Sequence, residues 1–290
     1  MPDPGLGLTE QTVTLPDGRA IRTVRAGQAP GPLIVFEAGM SAPASSWIHT
    51  QREVSARYRT LSYDRAGYVG SDPDTHDRTL DRIVDDLTAV LDAVNETDPV
   101  VLVGHSWGGP IIRVFADRHP DRVAGMVFVD ATLAEIMATR NAKVAAGFFA
   151  LMGLIARFGG KELIRKQTFR NGVAPEISTA DVEIMTRDYA NPRGMKAGSR
   201  EAAQIANALP VLRRVQANGT PDVPVVSLQA GLVERGMTKW RPLFNQYAQD
   251  LMDAAPRGKM VVVEGAGHLI PQESPEIVRE TIFGVAEQLP

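Results

Sequence analysis

Hydrophobic residues follow two rhythms along this chain. Apolar runs of four to six residues recur at Leu33–Phe36, Tyr58–Tyr63, Val100–Val103, Met126–Val129, Val223–Leu228 and Met260–Val263. None of these runs alternates cleanly between apolar and polar side chains, so each reads as a strand buried on both faces. Between them the period changes to that of a helix. Ile83, Val84, Leu87, Val90, Leu91 and Val94 mark 80–94 as an amphipathic helix. Pro110–Arg118 reads as another, with Pro110 tolerated in the first turn. Residues 275–288 close the chain with Ile277, Val278, Ile282, Phe283 and Val285 on one helix. Ahead of all this, Thr12–Leu15 and Ala20–Val24 flank a Pro16-Asp17-Gly18 turn, the pattern of a hairpin. Buried strands separated by helices predict an α/β fold: a mostly parallel sheet covered on both sides.

The alternation stops between about 132 and 220. That stretch is helical in pattern, rich in Ala, Met and Phe (NAKVAAGFFALMGLIARFGG) and offers no good strand. One crossover between parallel strands needs far fewer residues. The expected organisation is therefore a core of 1–131 and 221–290 with an inserted helical cap over 132–220. The alternative is an extra pair of core helices. No repeat or low-complexity tract is present.

Composition narrows the classes. The chain has 290 residues, 44% of them apolar, enough for a substantial core. Its formal charge of −3 argues against nucleic acid or an acidic membrane surface as the main partner. No cysteine is present, which removes disulfides, thiolate catalysis and cysteine–zinc sites. The start, MPDPGLGLTE, has neither the basic nor the apolar region of a signal peptide. The expectation is a soluble cytoplasmic protein that needs no cofactor and no metal; the pattern says nothing of its oligomeric state.

Chemistry enters at VVLVGHSWGG, residues 100–109. Gly104-His105-Ser106-Trp107-Gly108 is a G-x-S-x-G motif that follows a buried strand and opens a helix. A hydroxyl is a poor nucleophile and needs a base within reach and a fixed approach. A sharp strand-to-helix turn lifts the serine above the sheet edge and tolerates only small neighbours. It also aims the next backbone N–H, that of Trp107, at the position where an oxyanion would develop.

Four segments resemble the α/β-hydrolase family in content and order: LIVFEAG at 33–39, LSYDRAGYVGSD at 61–72, VVLVGHSWGG at 100–109 and VVVEGAGHLIPQESPE at 261–276. The resemblance implies Ser106 as nucleophile and His268 as general base, since the family's chain order is Ser, acid, His. The other histidines are less apt: His105 is inside the elbow, His119 ends a helix, and His49 and His76 have no chemical company. Two carboxylates compete for the acid. In most of the family it sits in the loop matched here by Gly231-Leu232-Val233-Glu234; in a subset it ends the earlier strand, where Asp130 stands. A short carboxylate pinned at a strand end is better preorganised than a loop glutamate, especially one beside Arg235, so Asp130 is preferred and Glu234 is the alternative. The resemblance also implies a second oxyanion donor in the turn after LIVFEAG, the N–H of Met40, although Ala38 stands where the family usually has histidine.

Asp64 and Arg65 are expected to tie their loop to the core, and Ser45 or Ser46 to cap a helix that contains Trp47. Met40, Trp107, Phe148, Phe149, Met152 and Trp240 are candidates for an apolar pocket, which would suit a small, mostly apolar ester-like substrate. The leading expectation is a serine hydrolase acting on a carboxylic ester or lactone. Epoxide hydrolases and dehalogenases of this fold use a carboxylate nucleophile, which position 106 lacks. A proline-releasing aminopeptidase or an amidase would need acidic cap residues, for which Glu135, Glu162, Glu176, Asp181 and Glu183 are available. A hydrolase-fold binding protein with little turnover is the rival from another class.

Overall fold

The computed structural model describes residues 7–132, 139–234 and 236–289, with the side chains of 139–142 outside the description. β1 (Thr9–Thr14) and β2 (Ala20–Ala26) form the hairpin, Thr14 opposite Ala20. Six further strands follow: β3 (Ile34–Glu37), β4 (Thr60–Tyr63), β5 (Val100–His105), β6 (Val123–Val129), β7 (Val225–Ala230) and β8 (Gly258–Val263). All eight share one sheet in the order β1-β2-β4-β3-β5-β6-β7-β8. β2 pairs antiparallel with β1 and β4, and every pairing from β4 through β8 is parallel.

The apolar runs are strands because both of their faces are covered. Val35, Leu61, Leu102 and Met126 enter one core layer, while Ile34, Phe36, Val101, Val103, Val127 and Val129 enter the other. The first layer packs against α2 (Leu80–Ala93) and α3 (Gly108–Arg118), the second against α1 (Ile48–Val54) and the closing helix α11 (Pro275–Ala286). The 3.6 period in α2 points Ile83, Val84, Leu87, Val90 and Leu91 inward, and Thr79 caps it by accepting from the Arg82 N–H.

Several boundaries differ from the pattern. β4 begins at Thr60 because Tyr58 N–H still closes the turn after α1 onto the Val54 carbonyl. β5 runs on to His105 and α3 begins at Gly108, which leaves two residues for the whole turn. The expected serine cap is absent. Ala44–Trp47 is a single 3₁₀ turn whose free Ala44 N–H is taken by the Asp64 carboxylate at 2.8 Å, and Ser45 and Ser46 are buried.

Between β6 and β7 the described residues hold five helices: α4 (Thr139–Arg157), α5 (Lys161–Thr168), α6 (Thr179–Tyr189), α7 (Pro192–Ala203) and α8 (Ile205–Asn218). α8 sends Ala208, Leu212 and Val215 into the core layer that holds α2 and α3 and packs against those two helices. α9 (Arg241–Ala254) connects β7 to β8, and the short α10 (Ile270–Glu273) precedes α11.

Candidate active site

The direction of strand addition reverses between β3 and β5. Chains leaving the C-terminal ends of those two strands diverge, and a crevice opens between them. The turn after β3 carries Met40, and the turn after β5 carries Ser106. Ser106 sits at φ 51°, in the left-handed region that a residue with a side chain rarely adopts. Two glycines make that turn possible. A Cβ on Gly104 would lie 2.7 Å from the Gly108 carbonyl oxygen, and one on Gly108 would collide with the Glu37 carbonyl. The turn is held by the Ser106 N–H on the Val129 carbonyl (3.1 Å) and by Gly109 and Thr132 N–H groups on the Ser106 carbonyl (3.0 and 2.9 Å).

Three of the expected residues meet here. His268, in the loop after β8, has Nε2 at 3.0 Å from Ser106 Oγ and Nδ1 at 2.6 Å from Asp130 Oδ2. Asp130 directly follows β6 with φ 40° and is buried. Burial alone would push its carboxyl group up, but hydrogen bonds and charge from His268 and Arg241 outweigh that and hold it well below the usual carboxylate range. An ionised Asp130 only accepts, so Nδ1 of His268 carries a proton toward it, and the ring offers Nε2 to the serine hydroxyl as a base whenever that nitrogen is bare.

Arg241, at the start of α9, grips the same carboxylate through Nη1 to Oδ1 (2.5 Å) and Nη2 to Oδ2 (2.9 Å), and the Ala230 N–H adds a bond to Oδ1 at 3.0 Å. Nothing in the sequence singles out Arg241. It follows a Lys-Trp pair, precedes a proline, and reaches Asp130 only because β6 and β7 are neighbours.

Glu234 stands near His268 but is engaged by other partners. Its carboxylate accepts from Arg170 Nη2 at 2.8 Å and from Asn171 Nδ2 at 2.6 Å, both from the segment between α5 and α6. Burial raises its proton affinity, and these two donors more than reverse the effect. It makes no hydrogen bond to His268. Its neighbour Arg235, and Glu135, lie outside the described residues. His105 is buried beneath the site, and its Nε2 donates to the backbone carbonyl of His268 at 2.9 Å. Burial, with the nearby charge of His268, pushes its pKa down to about 3, so it stays neutral and ties the histidine loop to the elbow.

The turn after β3 is fastened by Arg65, which is buried. Its Nη1 donates to Glu37 and to the Ala38 carbonyl (2.7 Å each), its Nη2 to the Gly39 carbonyl (2.8 Å), and its Nε and Nη2 to Glu201 of α7 (2.9 Å each). Tyr68 Oη accepts from the Ser41 N–H at 3.0 Å. With the Ala38 and Gly39 carbonyls and the Ser41 N–H so held, neither the Met40 N–H nor the Trp107 N–H has an acceptor among the described residues.

A cavity of about 690 Å³, mouth included, opens beside His268. Met40, Phe148, Phe149, Met152 and Met195 give it an apolar wall, and Arg170, Asn171, Glu234 and Glu273 form a polar rim. Trp107 is instead packed in the core below, and Trp240 stands half exposed ahead of α9. Glu162, Glu176, Asp181 and Glu183 do not line the cavity; Asp181 is buried against Arg52. Among the described residues, no three His, Asp or Glu side chains converge as a metal-ligand set, and no helix is long and apolar enough to cross a membrane.

The comparisons with known proteins agree with this architecture. The probable transporter efuK of Hormonema carpetanum is 28% identical over 89% of this chain but 39% of its own length. Epoxide hydrolase 4 of Mus musculus is 23% identical over 99% of this chain and 81% of its own length. The chain thus spans well under half of the first relative and most of the second. The crystal structure of an epoxide hydrolase from Vigna radiata superposes with a TM-score of 0.80 at 18% identity, covering 98% of this chain and 99% of that one. A model described as the alpha/beta hydrolase family matches residues 34–281, from the first residue of β3 to the middle of α11. The chain belongs to the alpha/beta hydrolase family.

Proposed function

We propose that this protein is a serine hydrolase that cleaves a carboxylic ester or lactone through an acyl-enzyme. The observation that carries the reading is the continuous relay from Ser106 Oγ to His268 Nε2 (3.0 Å) and from His268 Nδ1 to Asp130 (2.6 Å). Ser106 attacks the acyl carbon as His268 takes its proton. Asp130 fixes the ring and balances the imidazolium that forms. The Trp107 and Met40 N–H groups, unsatisfied within the described residues, receive the carbonyl oxygen as it becomes an oxyanion. His268 then returns the proton to the leaving alkoxide, and the same ring activates water to cleave the acyl-enzyme.

The apolar cavity wall supports a mostly apolar acyl or alcohol group, and the helices of the insertion other than α8, which packs on α2 and α3, act as the lid that supplies it. An epoxide hydrolase, as two of the similar proteins are named, would need a carboxylate where this chain has Ser106. An aminopeptidase is less well supported, because Glu234 and Glu273 on the rim are occupied by Arg170, Asn171 and the Gly267 N–H. The test is labelling by a fluorophosphonate probe together with turnover of p-nitrophenyl esters of graded chain length. Wild type should be labelled and active, and Ser106→Ala should be neither. An unlabelled, inactive wild type would refute the reading.

A further inference from the structure

The outer face of α4 is apolar and open. Val144, Phe148, Leu151 and Leu154 of α4, and Phe158 in the turn directly after it, recur at the spacing of one helix face and are 68, 43, 52, 54 and 79% exposed. Leu163 on α5 adds another at 56%. These are six of the eleven large hydrophobic side chains that stand exposed among the described residues, and they are gathered on one short stretch. No charged residue occurs from Val144 to Ala156. The charges flank the stripe instead: Lys143, Arg157, Lys161, Arg165 and Lys166 against the single carboxylate of Glu162. A chain of net charge −3 therefore carries a strongly cationic segment around this apolar face. The whole-chain charge hides that asymmetry.

We infer that α4 and the start of α5 form a docking surface for an anionic phospholipid bilayer, with the apolar stripe seated at the interface. Exposed apolar residues rimmed by lysine and arginine are what an interfacial helix needs: burial of the stripe among acyl chains and attraction of the rim to anionic headgroups. The helix does not span, so it would lie in the interface plane. A second copy of this chain fits the charge less well. A two-fold interface through α4 would bring two sets of the same cations together. Phe148 belongs both to the exposed stripe and to the cavity wall, so the docked face would open the cavity toward the lipid phase. Resting on the ester-hydrolase reading, the substrate class is then an ester whose hydrocarbon chain resides in the bilayer and enters past Phe148.

The experiment is co-sedimentation of the full chain with vesicles of phosphatidylcholine, with and without phosphatidylglycerol. Two variants avoid the cavity-lining residues: Leu151→Ser with Leu154→Ser and Phe158→Ser, and Lys161→Glu with Lys166→Glu. Wild type should bind the phosphatidylglycerol vesicles, more weakly as salt rises. Each variant should lose roughly tenfold or more in affinity while hydrolysing a water-soluble p-nitrophenyl ester as wild type does. Absence of wild-type binding, or a serine variant that binds as wild type does, overturns the inference. So does a wild-type dimer in sedimentation velocity that the serine variant abolishes, because the stripe then belongs to a second copy. Vesicle binding without any ester turnover would leave the docking surface standing and overturn the hydrolase reading alone.

Discussion

Asp130→Asn separates the two candidate acids. The substitution keeps the side-chain volume but replaces an ionised acceptor with an amide. His268 Nδ1 is held at 2.6 Å by Asp130 Oδ2. If the amide nitrogen faces the ring, Nδ1 becomes the acceptor, the proton moves to Nε2, and the ring can no longer take the Ser106 proton. In a serine-protease relay of this geometry the same exchange costs ~10⁴ in kcat, which corresponds to ~5.5 kcal/mol of transition-state stabilisation. Glu234→Gln leaves that relay untouched, because its carboxylate is engaged by Arg170 and Asn171. Its effect should stay within roughly tenfold, or ~1.4 kcal/mol. Folding needs a control, since the introduced amide no longer neutralises the buried Arg241 guanidinium. Breaking such a pair costs ~3–5 kcal/mol, so thermal melting of both variants must accompany pre-steady-state acylation by a p-nitrophenyl ester. A folded Asp130→Asn enzyme retaining more than about one hundredth of wild-type kcat would refute the relay. So would equal losses in the two variants.

Two further outcomes follow from the groups beneath the site. His105 has a folded pKa depressed to about 3, against an ordinary 6.5. The unfolded chain therefore takes a proton that the folded one refuses, and stability present above pH 6.5 is lost as pH falls toward 3, at about 1.4 kcal/mol per pH unit from this group. Urea denaturation between pH 7 and 4 should show a shallower decline for His105→Asn than for wild type; equal slopes would refute the assignment. Arg65→Met leaves the buried Glu37 and Glu201 carboxylates unopposed and frees the Ala38 and Gly39 carbonyls. It should lower Tm by roughly ten degrees and depress kcat more than KM, whereas a kcat equal to wild type would show that the turn carrying Met40 is held by other contacts.

The sequence made the parallel sheet legible, because short, largely β-branched runs such as Val100–Val103, set between helical periods, read as strands buried on both faces. It determined the elbow, because the glycines around Ser106 mark a turn that side chains would block. It also indicated His268, through chain order and a glycine-rich loop. The short gap between β5 and α3 was beyond it, since that boundary depends on how closely Gly108 approaches the Glu37 carbonyl. Which carboxylate faces His268 depends on long-range contacts that no local pattern encodes. Asp130 and Glu234 follow adjacent strands, β6 and β7, and local spacing suits both. The difference lies in partners distant in sequence: Arg241 and His268 converge on Asp130, while Arg170 and Asn171 engage Glu234. The stripe on α4 belongs to the same class of fact. Periodicity shows that a helix has an apolar face, but whether that face meets a core or stays open depends on what the rest of the chain places against it.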